Sequence, residues 1–330
     1  MKFGISYYGT YPLNEFLQVA EVANKFGADS IWLSEEFIYR DPFILTSSLL
    51  YNIKNIKLIP GPVSPFFKHP VAIAREILTL AEVDDNRLAL HIGIGDLNGL
   101  KQMGIKVSKP LKKIEEAIKT IRRLMNGDLV CNIDSTWDIN GIKMVLGGKL
   151  KIPIYTAAMG VKMLELSRKL SDGTVLSHMT SVDYIHKSIE MVQSIPEAIK
   201  RPEHEFFQFF VLSFAENKKF AYNQIRPDAA HWLGVSFPQP VHMQDWDNNG
   251  LEVDYISIYE AINRNELDRA CSLVSDTVLD KLAIVGTQND IERRLQEYLD
   301  AGVTYAVINP FGDIDAKIKT VKIVASMFNK

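Results

Sequence analysis

Two adjacent carboxylates, Glu35 and Glu36, follow the short apolar run Ser30-Ile31-Trp32-Leu33, with Ser34 between run and pair. On an extended chain neighbours point to opposite faces, so one of the two could meet a ligand and give or take a proton. The plainer reading is a solvated loop pair matched by Arg40. A second constellation is Gly61-Pro62-Val63-Ser64-Pro65-Phe66-Phe67-Lys68-His69-Pro70. Three prolines and one glycine in ten residues exclude a helix or a central strand. Such a loop is stiff, and its shape is set before a ligand arrives.

His91-Ile92-Gly93-Ile94-Gly95-Asp96 has the look of a glycine-rich phosphate loop. Asn98 stands where the dinucleotide fingerprint has its third glycine, and no Walker Lys-Ser/Thr pair follows. A tight turn reads equally well. Thr156-Ala157-Ala158-Met159-Gly160 is small and precedes a helix, whose free amides would suit a phosphate. An ordinary strand-to-helix turn is the alternative there. His69, before a helix, reads as a cap. The other histidines lack zinc spacing, and neither Cys-x-x-Cys nor Gly-x-Ser-x-Gly occurs. The pattern therefore argues against a metallohydrolase or serine hydrolase, and no metal site is expected.

These residues need a scaffold. Strands are expected at Lys2–Tyr7, Ser30–Leu33, Ile56–Pro60, Leu88–Ile92, Ile152–Thr156, Gly173–Leu176, Phe206–Phe214 and Thr304–Ile308, with helical spacing between them. The clearest helix is Pro110–Met125, with one apolar stripe and Asn126-Gly127 after it. Eight strands alternating with helices predict an α/β fold, a (β/α)8 TIM barrel, with a doubly wound open sheet as the alternative. No linker is visible, so residues 1–330 read as one domain. Residues 217–250, with Pro227, Pro238 and Pro240, read as an insertion or lid in which Trp232, Phe237 and Trp246 cover a substrate or simply pack.

The 330 residues are 47% hydrophobic and 23% charged, with a net charge of −3, which gives no electrostatic case for nucleic acid or anionic lipid. No apolar run reaches membrane-spanning length. Two separated cysteines and the absence of a leader pattern lead to a cytoplasmic expectation.

In a barrel, site residues stand at the carboxyl ends of the strands. That rule selects Ser6, Tyr7 and Tyr8; Ser34, Glu35, Glu36, Phe37 and Arg40; Gly61, Pro62, Val63 and Ser64; Gly93, Gly95 and Asp96; Ala157, Ala158, Met159 and Gly160; and Ser177 and His178.

Together the segments Trp32–Phe37, Gly61–Gly95, Ile152–Gly173 and Val285–Val303 resemble the luciferase-like superfamily, barrel enzymes using flavin or the deazaflavin coenzyme F420. The resemblance is strongest to methylenetetrahydromethanopterin reductase and related F420-dependent oxidoreductases. It implies a cofactor ring against Gly61–Ser64, a cis Gly61-Pro62 bond, and cofactor phosphate near the amides of Gly95 and Ala158 to Gly160. It implies cofactor-binding roles for Ser6, Ser34 and Gly93 as well. Hydride would pass between F420 and a small-molecule substrate such as a pterin-type C1 carrier, with Glu35 first and Glu36 second as the proton-handling group. The family's usual histidine is Glu36 here, and its usual aspartate is Glu35. The alternatives are an FMN-dependent monooxygenase served by a flavin reductase, or a non-catalytic flavin-binding barrel. The resemblance also implies a homodimer.

Overall fold

A strand covered on both faces must be apolar almost throughout. Strand β1 (Lys2–Tyr7) buries all but its first residue, and β2 (Ser30–Leu33) is buried along its whole length. The computed structural model describes residues 2–133, 135–148, 150–196, 204–236 and 238–328. It continues with β3 (Lys57–Pro60), β4 (Leu90–Ile92), β5 (Val130–Asn132), β6 (Ile139–Ile142), β7 (Ile154–Ala157), β8 (Gly173–Leu176), β9 (Glu205–Phe214), β10 (Ile284–Gly286) and β11 (Tyr305–Phe311). Eight of these form a parallel sheet in the order β3-β2-β1-β11-β9-β8-β7-β4. They correspond to the eight expected strands, three with the expected bounds and five with ends shifted by one to three residues. The sheet curls until its outer strands meet through bridges at Leu58↔Leu88 and Val63↔Ile92. The result is a nearly closed (β/α)8 barrel.

Helices cover the outside. Pro110–Met125 buries Ile114, Ala117, Ile118, Ile121, Leu124 and Met125, the stripe expected from spacing. Gly127 follows at φ 79°, a conformation glycine adopts without a Cβ clash. Two strand features escaped the sequence reading. An antiparallel hairpin, β5 with β6, follows that helix, and short β10 pairs with the end of β9.

The insertion expected over 217–250 is helical. It holds the helices Lys218–His231 and Pro240–Asn248, joined through a π-helical turn at Trp232–Ser236. The insertion also extends further, through helices Tyr255–Asn263, Leu267–Ser272 and Asp276–Leu282, before β10. Its apolar residues, among them Ala221, Ile225, Leu233, Trp246 and Ile258, make a second core. The prolines were misleading because Pro240 occupies the first turn of a helix, where its missing N–H costs nothing, and Pro227 is tolerated inside one. Phe237 lies outside the described residues.

Inside the barrel, Trp32, Tyr155, Phe207, Phe209 and Tyr305 pack as an aromatic plug. Trp32 sits 5.0 Å from Phe207 and 5.2 Å from Phe209, ring centre to ring centre. Its indole N–H donates to Ser30 Oγ at 2.8 Å, and Tyr305 OH reaches the same oxygen at 2.6 Å. This plug separates the two ends of the barrel. Trp32→Ala should lower stability by about 3–5 kcal/mol, read as an earlier urea midpoint with an unchanged slope. A midpoint close to wild type would mean that the plug is not structural.

Candidate active site

The carboxyl end of the barrel gathers most of the predicted residues. Gly61 N–H donates to Leu33 O at 2.8 Å and Val63 N–H to His91 O at 2.8 Å, while Gly93 N–H returns to Val63 O at 3.2 Å. The stiff loop thus supplies the pairing that joins β3 to β4. The Gly61-Pro62 peptide is cis, as expected. Gly61 stands at φ 125°, and a Cβ there would lie 2.1 Å from His91 O, so only glycine fits. A Cβ on Gly93 would meet Pro62 Cβ at 2.9 Å and Ala157 Cβ at 3.1 Å. Pro62, Gly93 and Ala157 therefore converge on one point from three strand ends. Gly95 joins them, its Cβ position 3.0 Å from Ser64 Cβ.

The two glutamates part company. Glu35 turns behind the loop, where its Oε2 accepts Ser64 N–H at 2.8 Å. Lys68 Nζ stands 4.0 Å from its Oε1 and also serves Asp41 and Glu76. Arg40, the expected partner, instead donates to Gly9 O beside the Tyr7 ring. Glu36 faces the mouth, in the alternation that also places Ser30 and Trp32 inside. Its charge acts on Tyr8, and Asp96 and Glu35 act on it. Burial pushes the Glu36 carboxyl up to about 7, with Asp96 and then Glu35 adding to the rise. Burial also raises Glu35 to about 7, against the Ser64 hydrogen bond and Lys68.

Around Glu36 lie groups that only the structure ranks. Tyr8 OH is hydrogen-bonded to His178 Nδ1 at 3.2 Å, and Trp232 packs edge-on against His178 at 4.7 Å. Burial, helped by His242, holds His178 down to about 3, so its ring is neutral. Burial likewise lowers His91 to about 3, opposed by a hydrogen bond with Gly61. Tyr8, Asp96 and His178 stood in the strand-end set. Trp232 enters from the inserted helices, held by Asp245, whose carboxylate accepts Ser181 N–H at 2.9 Å and Ser181 Oγ–H at 2.5 Å. No sequence signal marked that lock. Tyr7 leaves the set, because it stacks on Phe16 at 4.0 Å outside the barrel.

Two hydroxyls test whether a cofactor would fit. Ser6 Oγ and Ser34 Oγ are buried at the ends of neighbouring strands with no hydrogen-bond partner among the described residues. Native proteins seldom leave such groups unpaired unless something else completes them. The expected phosphate seat is narrower than anticipated. Ala158 N–H is taken by Val175 O at 3.0 Å and Gly160 N–H by Tyr184 OH at 3.3 Å. That leaves Met159 and Gly95 with amides that no internal acceptor takes up among the described residues. His69 caps its helix, accepting from Val71 N–H at 3.2 Å. Among the described residues no cluster of His, Cys, Asp and Glu could hold a metal ion, and no helix is long and apolar enough to cross a membrane.

A cavity of about 860 Å³ opens at the opposite end, beside Lys2, Asp29, Lys57, Arg87 and Glu205. The aromatic plug cuts it off from Glu36, and barrel chemistry belongs at the carboxyl face. It is not part of this site.

Residues 1–305 match the family model described as luciferase-like monooxygenase. The chain belongs to that family. Among its relatives is the 5,10-methylenetetrahydromethanopterin reductase of Archaeoglobus fulgidus, 28% identical over 98% of this chain and 97% of the relative. Among solved structures, the coenzyme F420-dependent tetrahydromethanopterin reductase of Methanopyrus kandleri superposes with a TM-score of 0.86, at 19% identity, over 98% of this chain and 97% of that one. An F420-dependent secondary alcohol dehydrogenase, in complex with an F420-acetone adduct, gives a TM-score of 0.80 at 18% identity, covering 99% and 98%. The luciferase-like barrel is thus shared along nearly the whole chain.

The raised carboxyls make a thermodynamic prediction. In the unfolded chain they ionise near 4.5, but when folded they hold their protons to about 7. The folded state binds more protons across that window, so stability falls as pH rises from 4.5 to 7 and then levels. Glu36→Gln removes one of the two groups. Its melting temperature should gain on wild type progressively between pH 4.5 and 7; a difference constant with pH would contradict the shift.

Proposed function

We propose that this protein is an oxidoreductase that uses coenzyme F420 at the carboxyl end of the barrel and acts on a small molecule, a pterin-type C1 carrier. The observation that carries this reading is that the Glu36 carboxyl, the buried Ser6 and Ser34 hydroxyls and the converging Pro62, Gly93 and Ala157 all stand at the carboxyl ends of the barrel strands. The named activities of the methylenetetrahydromethanopterin reductases support the pterin.

When bound, F420 supplies or accepts a hydride at its deazaflavin ring. The chain's residues do the remainder. Gly61, Pro62, Val63 and Gly93 form a rigid apolar wall for a flat ring. Ser6 and Ser34 offer hydroxyls to its polar edge. The Gly95 and Met159 amides are left for an acidic tail, with Ser64, Ala158 and Gly160 shaping the turns around them. Glu36, half-protonated near neutral pH, gives or takes the proton that accompanies hydride transfer. Glu35, bonded to Ser64 N–H, positions the loop rather than touching substrate. Expelling water from the mouth falls to Trp232 and the inserted helices.

The second reading is an FMN-dependent monooxygenase fed by a flavin reductase, favoured by the family description. A non-catalytic flavin-binding barrel is the third. Titrating the apoprotein with F420 and with FMN, by cofactor fluorescence, separates them: F420 should bind selectively. Glu36→Gln should keep F420 affinity and lose about 100-fold or more in turnover. Selective FMN binding would transfer the reading to monooxygenase chemistry, and unchanged turnover would remove Glu36 from it.

We also propose a homodimer. Helix Pro42–Asn52 exposes Ile44 and Tyr51 on one face, and Ile38, Tyr39 and Phe67 extend the apolar surface. A patch of this kind on a globular protein marks an interface. Ile44→Glu should convert a dimer to a monomer in sedimentation velocity; a monomeric wild type would refute the proposal.

A further inference from the structure

Beside the mouth, a cleft of about 470 Å³ lies between the loop after β1, the helix Lys218–His231 and the end of β11. Tyr11, Phe220 and Phe311 give it aromatic walls, and Gln224, Asp228 and Asn309 give it polar groups. Phe220, Gln224 and Asp228 recur every four residues on one helix face, and Trp232 continues the row into the mouth. There Trp232 stands 5.7 Å from Phe311, so the cleft and the reaction site share a wall.

Two polar groups in the cleft lack partners. Tyr11 OH is buried without a hydrogen bond among the described residues. Among the described residues no cation pairs with Asp228: burial pushes its carboxyl up, opposed by a hydrogen bond from its own backbone N–H. Lys317, the cation of the cleft, is committed elsewhere. Its Nζ donates to Gly312 O at 2.5 Å, lies 3.8 Å from Glu15 and sits 4.4 Å from the Tyr11 ring centre. Ring walls select a flat ligand. Apart from its own N–H, that carboxylate of Asp228 has lone pairs left on both oxygens, which suit a pair of adjacent N–H donors.

We propose that this cleft recognises a planar nitrogen heterocycle by its amino and ring N–H groups, the 2-amino-4-oxopyrimidine edge of a pterin, with Asp228 accepting both. This deepens the pterin reading above and rests on it for the link between the cleft and the reaction. The cofactor wall formed by Gly61–Ser64 and Gly93 belongs to β3 and β4, whereas the cleft belongs to β1, β11 and the insertion. Substrate head group and cofactor would therefore approach from different sides of the mouth.

The probes are pterin and lumazine, which differ only in an amino group against an oxo group at position 2. Each is titrated into the full-length protein by pteridine fluorescence, with and without F420. Wild type should bind pterin about tenfold or more tightly than lumazine. Asp228→Asn and Asp228→Leu should both erase that preference while keeping the wild-type circular dichroism. Equal affinities in wild type, no pteridine binding, or a preference surviving in a folded Asp228→Asn protein would overturn the proposal. The wild-type comparison stands even where a variant misfolds. F420 quenching on the same samples keeps the two ideas apart. Binding of F420 without pteridine discrimination defeats the cleft alone, and discrimination without F420 binding defeats the cofactor reading alone.

Discussion

The seam between β3 and β4 is the constraint on which the rest of this molecule depends. Barrel closure needs these two strands joined, and their bridges are Leu58 to Leu88, just before β4, and Val63, just after β3, to Ile92. The second comes from a proline-rich loop, which Gly61 ties to Leu33 of β2 and Val63 ties to His91 and Gly93. Ser64 extends the seam, donating its N–H to Glu35 and its hydroxyl to Ile94 O at 2.5 Å. One loop thus closes the barrel and shapes the surface on which a ring would rest. Loop residues are ordinarily the most mobile part of a site. Here the loop carries ladder bonds, and the site inherits the rigidity of the sheet.

That arrangement explains the two glutamates. Glu35 is needed behind the loop, where a backbone amide and Lys68 meet it. Glu36 then falls by alternation on the inside of the barrel, with Tyr8 and Asp96 as electrostatic neighbours and, among the described residues, no cation acting on it. The same burial that makes a charged carboxylate costly brings its proton affinity into the neutral range.

The inserted helices give the mouth a second layer. Their apolar core takes in Met179, Val211 and Val285 from the barrel, so insertion and barrel are packed through it. Their attachment runs through a buried polar contact, Asp245 with Ser181 and Asn249. The π-helical turn at Trp232 swings that residue toward His178 and Phe311. Turns of this type concentrate at functional positions because the widened backbone re-aims side chains.

By itself the sequence determined the barrel, because eight short apolar runs separated by amphipathic helices leave few other ways to bury both faces of each strand. It also marked the Gly61–Ser64 loop and both glutamates, since proline, glycine and paired carboxylates restrict what a segment can do. It could not order Glu35 and Glu36, whose surroundings are set by Lys68 and Ser64 on one side and Tyr8 and Asp96 on the other, all distant in sequence. Nor could it show that Ala158 and Gly160 spend their amides on Val175 and Tyr184. The insertion was legible over 217–250 but its helices were not, because Pro227 and Pro240 signal breaks locally, while the apolar residues that override them find partners only in three dimensions. Local pattern records what a residue prefers; tertiary packing decides which partners satisfy it.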